Sequence, residues 1–412
     1  MCAALVFAIV RPASAEPGDN RTDYTTTRYE PAGFPVIGGN SDIGFQFGAV
    51  GTLTRFDQGV KPYLWNMDLL LTASVKKGTE GTELAQQSYL WQWDLPGMFG
   101  GKLRMIPLIY YQRTVNQGYF GLGNASSGAD PRAAQGRNYQ FIDNEVRVRQ
   151  LARYAIGGPF QLVVVGTLRA ESPRAYAGTQ LDRDGAAKNA NGSPLIHGLR
   201  QLEIVMPATG VIYDTRDNEI FPRAGAFHQM GIKFAQGLPD DGQVQYGAAS
   251  GNFAWYFQLG PETVFATRMA LDLQVGNVPF YDLYSGGPFA TYDMPGGPSG
   301  IRGVPSGRYL GRIKMIGNAE IRTLPIGFRL WGTKFRLGGD AFVDAGRVFL
   351  DYTFTSPFDG TGIGIKYGLG LGGYLLWGQA ALFRIEVAYS ADQVAANPGF
   401  PVGIYVEDGV MF

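Results

Sequence analysis

The chain has 412 residues, of which 35 are basic and 35 acidic, so its formal net charge at neutral pH is zero. This balance argues against a nucleic-acid-binding protein, which carries an excess of basic side chains. The single cysteine excludes a disulfide framework, and one cysteine with two histidines nearly excludes a zinc site built from these residue types.

The N-terminus predicts an export signal. Ala3–Val10 is a short apolar run, and Ala13-Ser14-Ala15 has the small residues typical of a signal cleavage site. We therefore expect a signal peptide at residues 1–15 and a short tail at 16–23; the alternative is a frayed hydrophobic terminus. The sequence has no run of about 18 apolar residues that would predict a membrane-spanning helix. These features are typical of a secreted β-protein or an outer-membrane β-barrel.

Apolar and polar side chains alternate along most of the sequence. In residues 63–76 one face is apolar, whereas the other carries Asn66, Asp68 and Lys76, and residues 263–275 repeat the pattern. Such runs are longer than the five or six residues of an average strand and match the roughly nine to eleven that cross a bilayer. An apolar face toward lipid and a polar face toward water suit a transmembrane barrel. The alternative, a large soluble sandwich, would have shorter strands.

The alternation predicts fifteen strands, and because bacterial single-chain barrels normally have an even number, residues 24–37 are expected to supply a sixteenth. The predicted fold class is therefore an all-β, 16-stranded antiparallel transmembrane β-barrel over residues 24–412. The predicted strands cover about 24–37, 41–55, 62–76, 86–96, 102–116, 138–153, 159–172, 200–213, 224–237, 248–259, 263–276, 308–323, 333–350, 364–376, 380–391 and 402–412. Pro31 and Pro35 make the first of these an edge or seam strand. Short turns alternate with long loops such as 277–307, which predicts that the long loops are extracellular.

Three motifs occur in this order along the chain. The first is Tyr213–Asn218 followed by Phe221–Gly225, the second is Ile301–Val304, and the third is Phe342–Gly346. Together they resemble the barrel of the bacterial surface antigen superfamily, which includes outer-membrane assembly factors of the BamA and TamA type and two-partner secretion transporters. The resemblance covers about residues 24–412, which implies a barrel without the periplasmic POTRA domains of that family.

The resemblance implies that the sixth extracellular loop folds back into the lumen. Its arginine, Arg302, would dock on Asp344 and Glu320 of the barrel wall, where charge-assisted hydrogen bonds hold a guanidinium. The aromatic ring at position 342 would cover the guanidinium, and glycine would allow the tight turn. The alternative is a solvated loop arginine. The predicted latch residues are Arg302, Gly303, Glu320, Phe342, Asp344 and Gly346.

Two further segments have a predicted structural role. The turn motif, which we expect at the periplasmic rim, consists of Asp214, Arg216, Asp217, Asn218 and Pro222. The last predicted strand ends in Phe412, with Val410 two residues earlier. A terminal aromatic residue with alternating apolar residues looks like the signal by which outer-membrane barrels are recognised for assembly.

The expected function is protein or lipid translocation or assembly by a barrel in the bacterial outer membrane. The alternative is a passive channel or structural barrel. We expect no enzyme, because His197 and His228 have the settings of ordinary loop and interfacial residues, and we expect no metal or cofactor. The expected partners are outer-membrane lipids, the barrel-assembly machinery for its own insertion, a polypeptide substrate and a separate periplasmic protein, but no nucleic acid.

Overall fold

The computed structural model describes residues 25–40, 44–78, 81–127, 137–240, 242–290, 292–392 and 402–412. The predicted signal peptide at 1–15 and tail at 16–23 lie outside these residues. None of the helices in the described part of the chain is long and apolar enough to cross a membrane.

One large sheet dominates the structure. It contains seventeen strands, of which one is the two-residue Arg174–Ala175. The sixteen long strands are β1 (Arg28–Asn40), β2 (Gly44–Phe56), β3 (Trp65–Gly78), β4 (Gly81–Gly97), β5 (Leu103–Gly118), β6 (Gln140–Gly157), β7 (Phe160–Glu171), β8 (Leu202–Asp214), β9 (Gly225–Leu238), β10 (Gln245–Gln258), β11 (Thr263–Asn277), β12 (Ile313–Leu330), β13 (Thr333–Phe349), β14 (Lys366–Trp377), β15 (Ala381–Tyr389) and β16 (Val402–Asp408). The predicted number of strands and the barrel fold class are confirmed.

The remaining elements are short and lie in the connections. They are the helical turn Met98–Gly101, the helix Gln180–Ala186, the 3₁₀ turns Phe280–Asp282 and Pro357–Asp359, and the small hairpin of Ser285–Gly286 with Tyr292–Asp293. The longest connections, 119–139, 172–201, 278–312 and 350–365, are on one side of the sheet, which is the extracellular side of an outer-membrane barrel. The short β1–β2 and β3–β4 connections share that side, and the other side has only connections of about ten residues or fewer.

Each long strand pairs antiparallel with the next one along the chain, from β1 with β2 to β15 with β16. Within the described residues no backbone ladder joins β16 to β1. Several predicted boundaries are wrong. β1 continues to Asn40 rather than ending at residue 37, β12 covers Ile313–Leu330 rather than 308–323, and β16 ends at Asp408 rather than at Phe412.

Side chains alternate between the two faces of the sheet, as the sequence pattern predicts. In β7, Val163 and Arg169 point inward and are buried, whereas Val164 and Leu168 point outward and are 54% and 59% exposed. A soluble protein would bury such an outward face, but in a barrel that crosses the membrane it contacts lipid. The inner face carries the charged residues and holds the candidate site.

The extracellular end of the barrel is closed by packed loop residues. Phe280 of the connection between β11 and β12 contacts Tyr119 and Phe141, with ring centroids 5.6 and 5.2 Å apart. Leu181 of the short helix Gln180–Ala186 and Tyr284 belong to the same buried cluster. The apolar core of the protein therefore lies in the loops above the sheet as well as inside it.

We expect Leu371→Arg to weaken folding into lipid vesicles by about 2–4 kcal/mol, because an arginine on the lipid face near the bilayer midplane is poorly solvated. Leu371 lies in the middle of β14 and is 67% exposed. Leu259→Arg is the matched control, since Leu259 is similarly exposed but lies in a short turn, where the cost is about 0–1 kcal/mol. Urea titration of folding into vesicles measures the free-energy cost of each variant. Equal costs for Leu371→Arg and Leu259→Arg would contradict the assignment of Leu371 to the lipid face.

Candidate functional site

The connection between β11 and β12, which we call the sixth loop, folds back into the barrel. Its tip is a tight turn in which Val304 N–H donates to the carbonyl of Ile301 at 3.1 Å. Gly303 has a φ of +93°, and a Cβ there would lie 2.9 Å from the backbone of Tyr389 at the end of β15. Only glycine therefore suits this position, because a side chain would be strained and would strike the wall.

Arg302, at the tip of the loop, lies against the barrel wall and is completely buried. Its backbone N–H and its Nε both donate to Asp344 Oδ2, at 3.0 and 2.8 Å, and its Nη2 donates to Oδ1 at 3.0 Å. Its Nη1 donates to Glu320 Oε2 at 3.2 Å. The Phe342 ring lies under the guanidinium, with Cζ 3.4 Å from the ring centroid. The structure thus brings the predicted latch residues together.

Two carboxylates that the sequence analysis did not identify complete the latch. Arg302 Nη1 also donates to Glu386 Oε1 of β15 at 2.7 Å, and Asp340 Oδ2 of β13 lies 3.8 Å away. Glu386 follows Arg384 on the inward face of β15, so the available signal was a pair of charges in an otherwise apolar strand. Oxygen atoms of Glu320, Asp340 and Glu386 all lie within 4.8 Å of one another, and Arg302 is the cation among them.

Burial by itself would lower the pKa of Arg302, but the surrounding carboxylates, Asp344 first, hold this pKa well above its usual range. The guanidinium therefore keeps its charge inside the lumen. Because Arg302 contacts β12, β13 and β15, one loop residue joins three strands of the wall.

Glycines in the wall make room for the loop tip. A Cβ at Gly346 of β13 would lie 3.1 Å from Ile301 Cδ1 and 2.4 Å from the carbonyl oxygen of Met315. A Cβ at Gly368 of β14 would lie 1.8 Å from the carbonyl oxygen of Arg302. The glycine of the Phe342–Gly346 motif and Gly368 thus let the backbone of the loop lie directly against the sheet.

The comparisons with known proteins agree with this geometry. A profile of the Omp85 superfamily domain matches residues 176–403, which is more than half of the chain. The chain belongs to the Omp85 superfamily. No curated protein sequence matches it.

Two solved structures show the same fold as this Omp85 barrel. BamA from Haemophilus ducreyi lacking POTRA domains 1–3 aligns with a TM-score of 0.51 and 15% identity, over 93% of this chain and 70% of that one. CdiB from Escherichia coli aligns with a TM-score of 0.53 and 12% identity, over 93% of this chain and 62% of that one. These neighbours and the superfamily place the protein in the bacterial outer membrane.

The Omp85 barrel holds its sixth loop at a second anchor. Asp282, in the loop's first turn, accepts hydrogen bonds from Arg169 Nη1 and Nη2 of β7 at 2.8 and 2.7 Å and from the Tyr246 hydroxyl of β10 at 2.8 Å. Here the carboxylate is on the loop and the guanidinium is on the wall, the reverse of the Arg302 latch. Sequence analysis missed this pair because 113 positions separate its members and no motif connects them.

The periplasmic turn motif, between β8 and β9, is organised by its own side chains. Asp214 accepts two hydrogen bonds from the Arg216 guanidinium, at 2.9 and 2.8 Å. Asp217 Oδ1 accepts from the backbone N–H groups of residues 223 and 224, and Asn218 Oδ1 accepts from those of residues 220 and 221. These bonds fix the path of the turn.

The same turn reaches across the lumen to other strands. Phe221 is buried, and its ring packs edge-on against Tyr374 of β14 at 6.2 Å between centroids. The carbonyl of Pro222 accepts a hydrogen bond from Arg322 Nη2 of β12 at 3.2 Å. The turn motif therefore lies across the periplasmic end of the lumen, rather than only at its rim.

The C-terminal residues do not continue the lipid-facing pattern of β16. The strand ends at Asp408, Gly409 has a φ of +73°, and Val410 and Phe412 pack on the inner cluster of the barrel. The Phe412 ring lies 5.3 Å from Cζ of the lumenal Arg268. The predicted strand is therefore too long: it ends before Phe412, because Gly409 turns the chain inward. The recognition role of Val410 and Phe412 stays a prediction.

We expect Arg302→Ala to lower the free energy of unfolding by about 3–5 kcal/mol, because it leaves Asp344 buried without its cation and leaves Glu320 and Glu386 with only Arg322 and Arg384 as partners. Repulsion among the carboxylates should release the loop and raise ion conductance in planar bilayers. Asp344→Ala should act in the same direction, and the double variant should cost less than the sum of the two single variants, since the residues share one interaction.

The control for this prediction is Arg312→Ala. Arg312 lies at the end of the same loop but donates to the Gly276 carbonyl rather than to a carboxylate. Its loss should cost about 0.5–1.5 kcal/mol. If Arg302→Ala and Arg312→Ala behave alike, the carboxylates do not hold the loop.

We expect Phe221→Ala to destabilise the barrel by about 3 kcal/mol, because it empties a buried aromatic site, and to raise conductance by opening the periplasmic end. The control is Phe99→Ala, which removes a ring that is 77% exposed in another short turn. Thermal unfolding and planar-bilayer recording measure both effects. Unchanged conductance in Phe221→Ala would show that the turn does not close the lumen.

Proposed function

We propose that this Omp85 barrel translocates or assembles polypeptide, or lipid, by opening laterally between its first and last strands. The observation that carries this proposal is the seam. In the described residues, β16 pairs with β15 only, and β1 pairs with β2 only. An unpaired strand edge is a template for another chain, and barrels normally remove such edges by closing.

At this seam, between the first and the last strands, side-chain contacts take the place of a backbone ladder. Phe34, on the inner face of β1, packs edge-on against Phe383, on the outer face of β15, with ring centroids 4.8 Å apart. Ala32 and Ala381 are buried in the same cluster. Because an inner face meets an outer face, β1 overlaps the outside of β15 near the periplasmic end.

Polar contacts at the start of β1 run through side chains rather than through a backbone ladder. Arg28 Nη2 donates to Gln379 Oε1 at 2.9 Å, and the backbone N–H of Gln379 donates to Glu30 Oε2 at 2.9 Å. Pro31 and Pro35 of β1 have no backbone N–H to offer to a further strand. A ladder the length of β1 would contribute many more hydrogen bonds, so this seam should separate at a smaller cost than other strand junctions.

The interior supports lateral opening more than passive conduction. Packed loops close the extracellular end, the sixth loop fills the lumen, and Phe221 lies across the periplasmic end. A solute would have to displace all three to pass along the axis. A passive or structural barrel remains the second candidate, because each of these parts would also suit a closed, inert barrel.

We infer no catalytic step for this barrel. His228, one of the two histidines, stacks with Tyr213 and packs on Trp255, with ring centroids 5.6 and 4.9 Å apart. This setting is typical of the aromatic belt at a membrane interface. The partners in the proposal are outer-membrane lipids, the barrel-assembly machinery for its own insertion, a polypeptide substrate and a separate periplasmic protein.

A crosslink across the seam tests the proposal. In a Cys2→Ser background, Phe34→Cys and Phe383→Cys are joined by a short, reducible thiol linker, and the protein is placed in lipid vesicles. The vesicles are mixed with an unfolded outer-membrane barrel protein, and its folding is followed by heat modifiability on gels. We expect the uncrosslinked protein to accelerate folding, the crosslink to abolish the acceleration, and reduction to restore it.

The control crosslink joins Ile37→Cys to Phe47→Cys. These residues are register partners across the β1–β2 ladder, and both are exposed. Their crosslink leaves the seam free and should not change the acceleration. Full activity with the seam crosslinked would overturn lateral opening, and no acceleration together with a steady ion conductance would indicate the passive channel.

A further inference from the structure

A cavity lies in the barrel wall beneath the sixth loop and away from the Arg302 latch. The space in it that a water-sized molecule can occupy is about 20 Å³, and the cavity is partly open to solvent. Strands β6 to β9 form its wall, and Gly287, Pro288 and Phe289 of the loop cover it. Three cationic side chains line it, Arg147, Arg149 and Lys233, and no carboxylate does.

Two of these cations have no ion-pair partner among the described residues. Arg149 Nη2 donates to the neutral Gln92 Oε1 at 3.3 Å, and its Nε is buried without a hydrogen-bond partner. The backbone of Lys233 lies in the β9 ladders, but in the described part of the chain its Nζ has no hydrogen bond and no ion pair within 4 Å. By contrast, Arg147 Nε is paired with Glu145 Oε1 at 2.5 Å.

The carboxylates that act on Lys233 from a distance are already neutralised. They are Asp272 and Asp282. Asp272 forms an ion pair with Lys314 at 3.1 Å, and Asp282 forms one with Arg169 at 2.7 Å. Both carboxylates therefore have a nearer cationic partner than Lys233.

Uncompensated cations around one cavity are costly, because each loses hydration. The apolar side chains of Val165, Met206 and Phe289 in the cavity wall strengthen this effect by excluding water. The hydroxyl of Thr167 adds a neutral donor. The chain thus presents an arginine fork, an ammonium and a hydroxyl, the donors that recognise tetrahedral oxyanions.

We propose that this cavity is a binding site for a phosphate-type oxyanion. The guanidinium of Arg149 and the ammonium of Lys233 contact the anion, and Phe289 of the sixth loop covers it. The site is separate from the seam and does not depend on lateral opening.

Isothermal titration of the purified, folded barrel with inorganic phosphate at constant ionic strength tests this site. We expect a saturable binding heat for the unmodified protein. Arg149→Gln with Lys233→Gln should abolish it, and Lys233→Gln alone should weaken the affinity about tenfold, the effect of one lost charge-assisted bond. Heat modifiability on gels establishes that each variant is folded.

The matched control is Arg174→Gln with Lys188→Gln, which removes the same two charges from exposed positions in the extracellular loop between β7 and β8. It should bind phosphate as the unmodified protein does. The proposal is overturned if the unmodified protein shows no saturable heat, or if the single variant Lys233→Gln and the control bind equally well.

Lipid analysis of the purified protein distinguishes two sources of the oxyanion. An anionic phospholipid that is recovered from the unmodified barrel and lost from Arg149→Gln would support a lipid headgroup as the ligand. Phosphate binding without bound phospholipid would support a soluble phosphate.

Discussion

The fully buried guanidinium of Arg302 is the interaction on which the interior of this barrel depends. A charge in that position has lost its hydration, and only the carboxylates around it offset the cost. Glu320, Asp344 and Glu386 come from β12, β13 and β15, so the latch cannot form until these strands are in register. The loop and the wall therefore stabilise each other, and neither arrangement is complete alone.

The latch also explains why glycines occur where the loop tip meets the wall. The loop backbone lies so close to the sheet that Gly303, Gly346 and Gly368 are needed where the two meet. Next to Arg302, the Gly303 N–H donates to the Tyr405 hydroxyl of β16 at 2.9 Å. The loop tip thus reaches the last strand as well. The second anchor, Asp282 on Arg169, holds the start of the loop against β7 and β10, so the loop spans the lumen between distant parts of the wall.

These internal contacts are unevenly distributed around the barrel. The strands from β12 to β16 are tied to the loop from inside, whereas β1 meets β15 through the Phe34–Phe383 contact and a few polar bonds. The interior is therefore firmly held beside a seam that has little backbone pairing. This asymmetry places the most separable junction between the two ends of the chain, and it is the physical basis of the proposed lateral opening.

The sequence by itself determined the strands and three residues of the latch. The alternation of apolar and polar residues follows directly from the pleat of a strand, so the number of strands, their order and the lipid-facing side could be predicted. The motif residues Arg302, Asp344 and Glu320 could be matched because each lies in a recognisable local pattern. The tertiary structure alone decided which distant residues join them. Glu386, the Asp282–Arg169 anchor, the turn that carries Phe221 across the lumen and the inward course of Phe412 depend on the curvature of the wall. Curvature brings together strands that are far apart in the chain, and local sequence patterns carry no information about that distance.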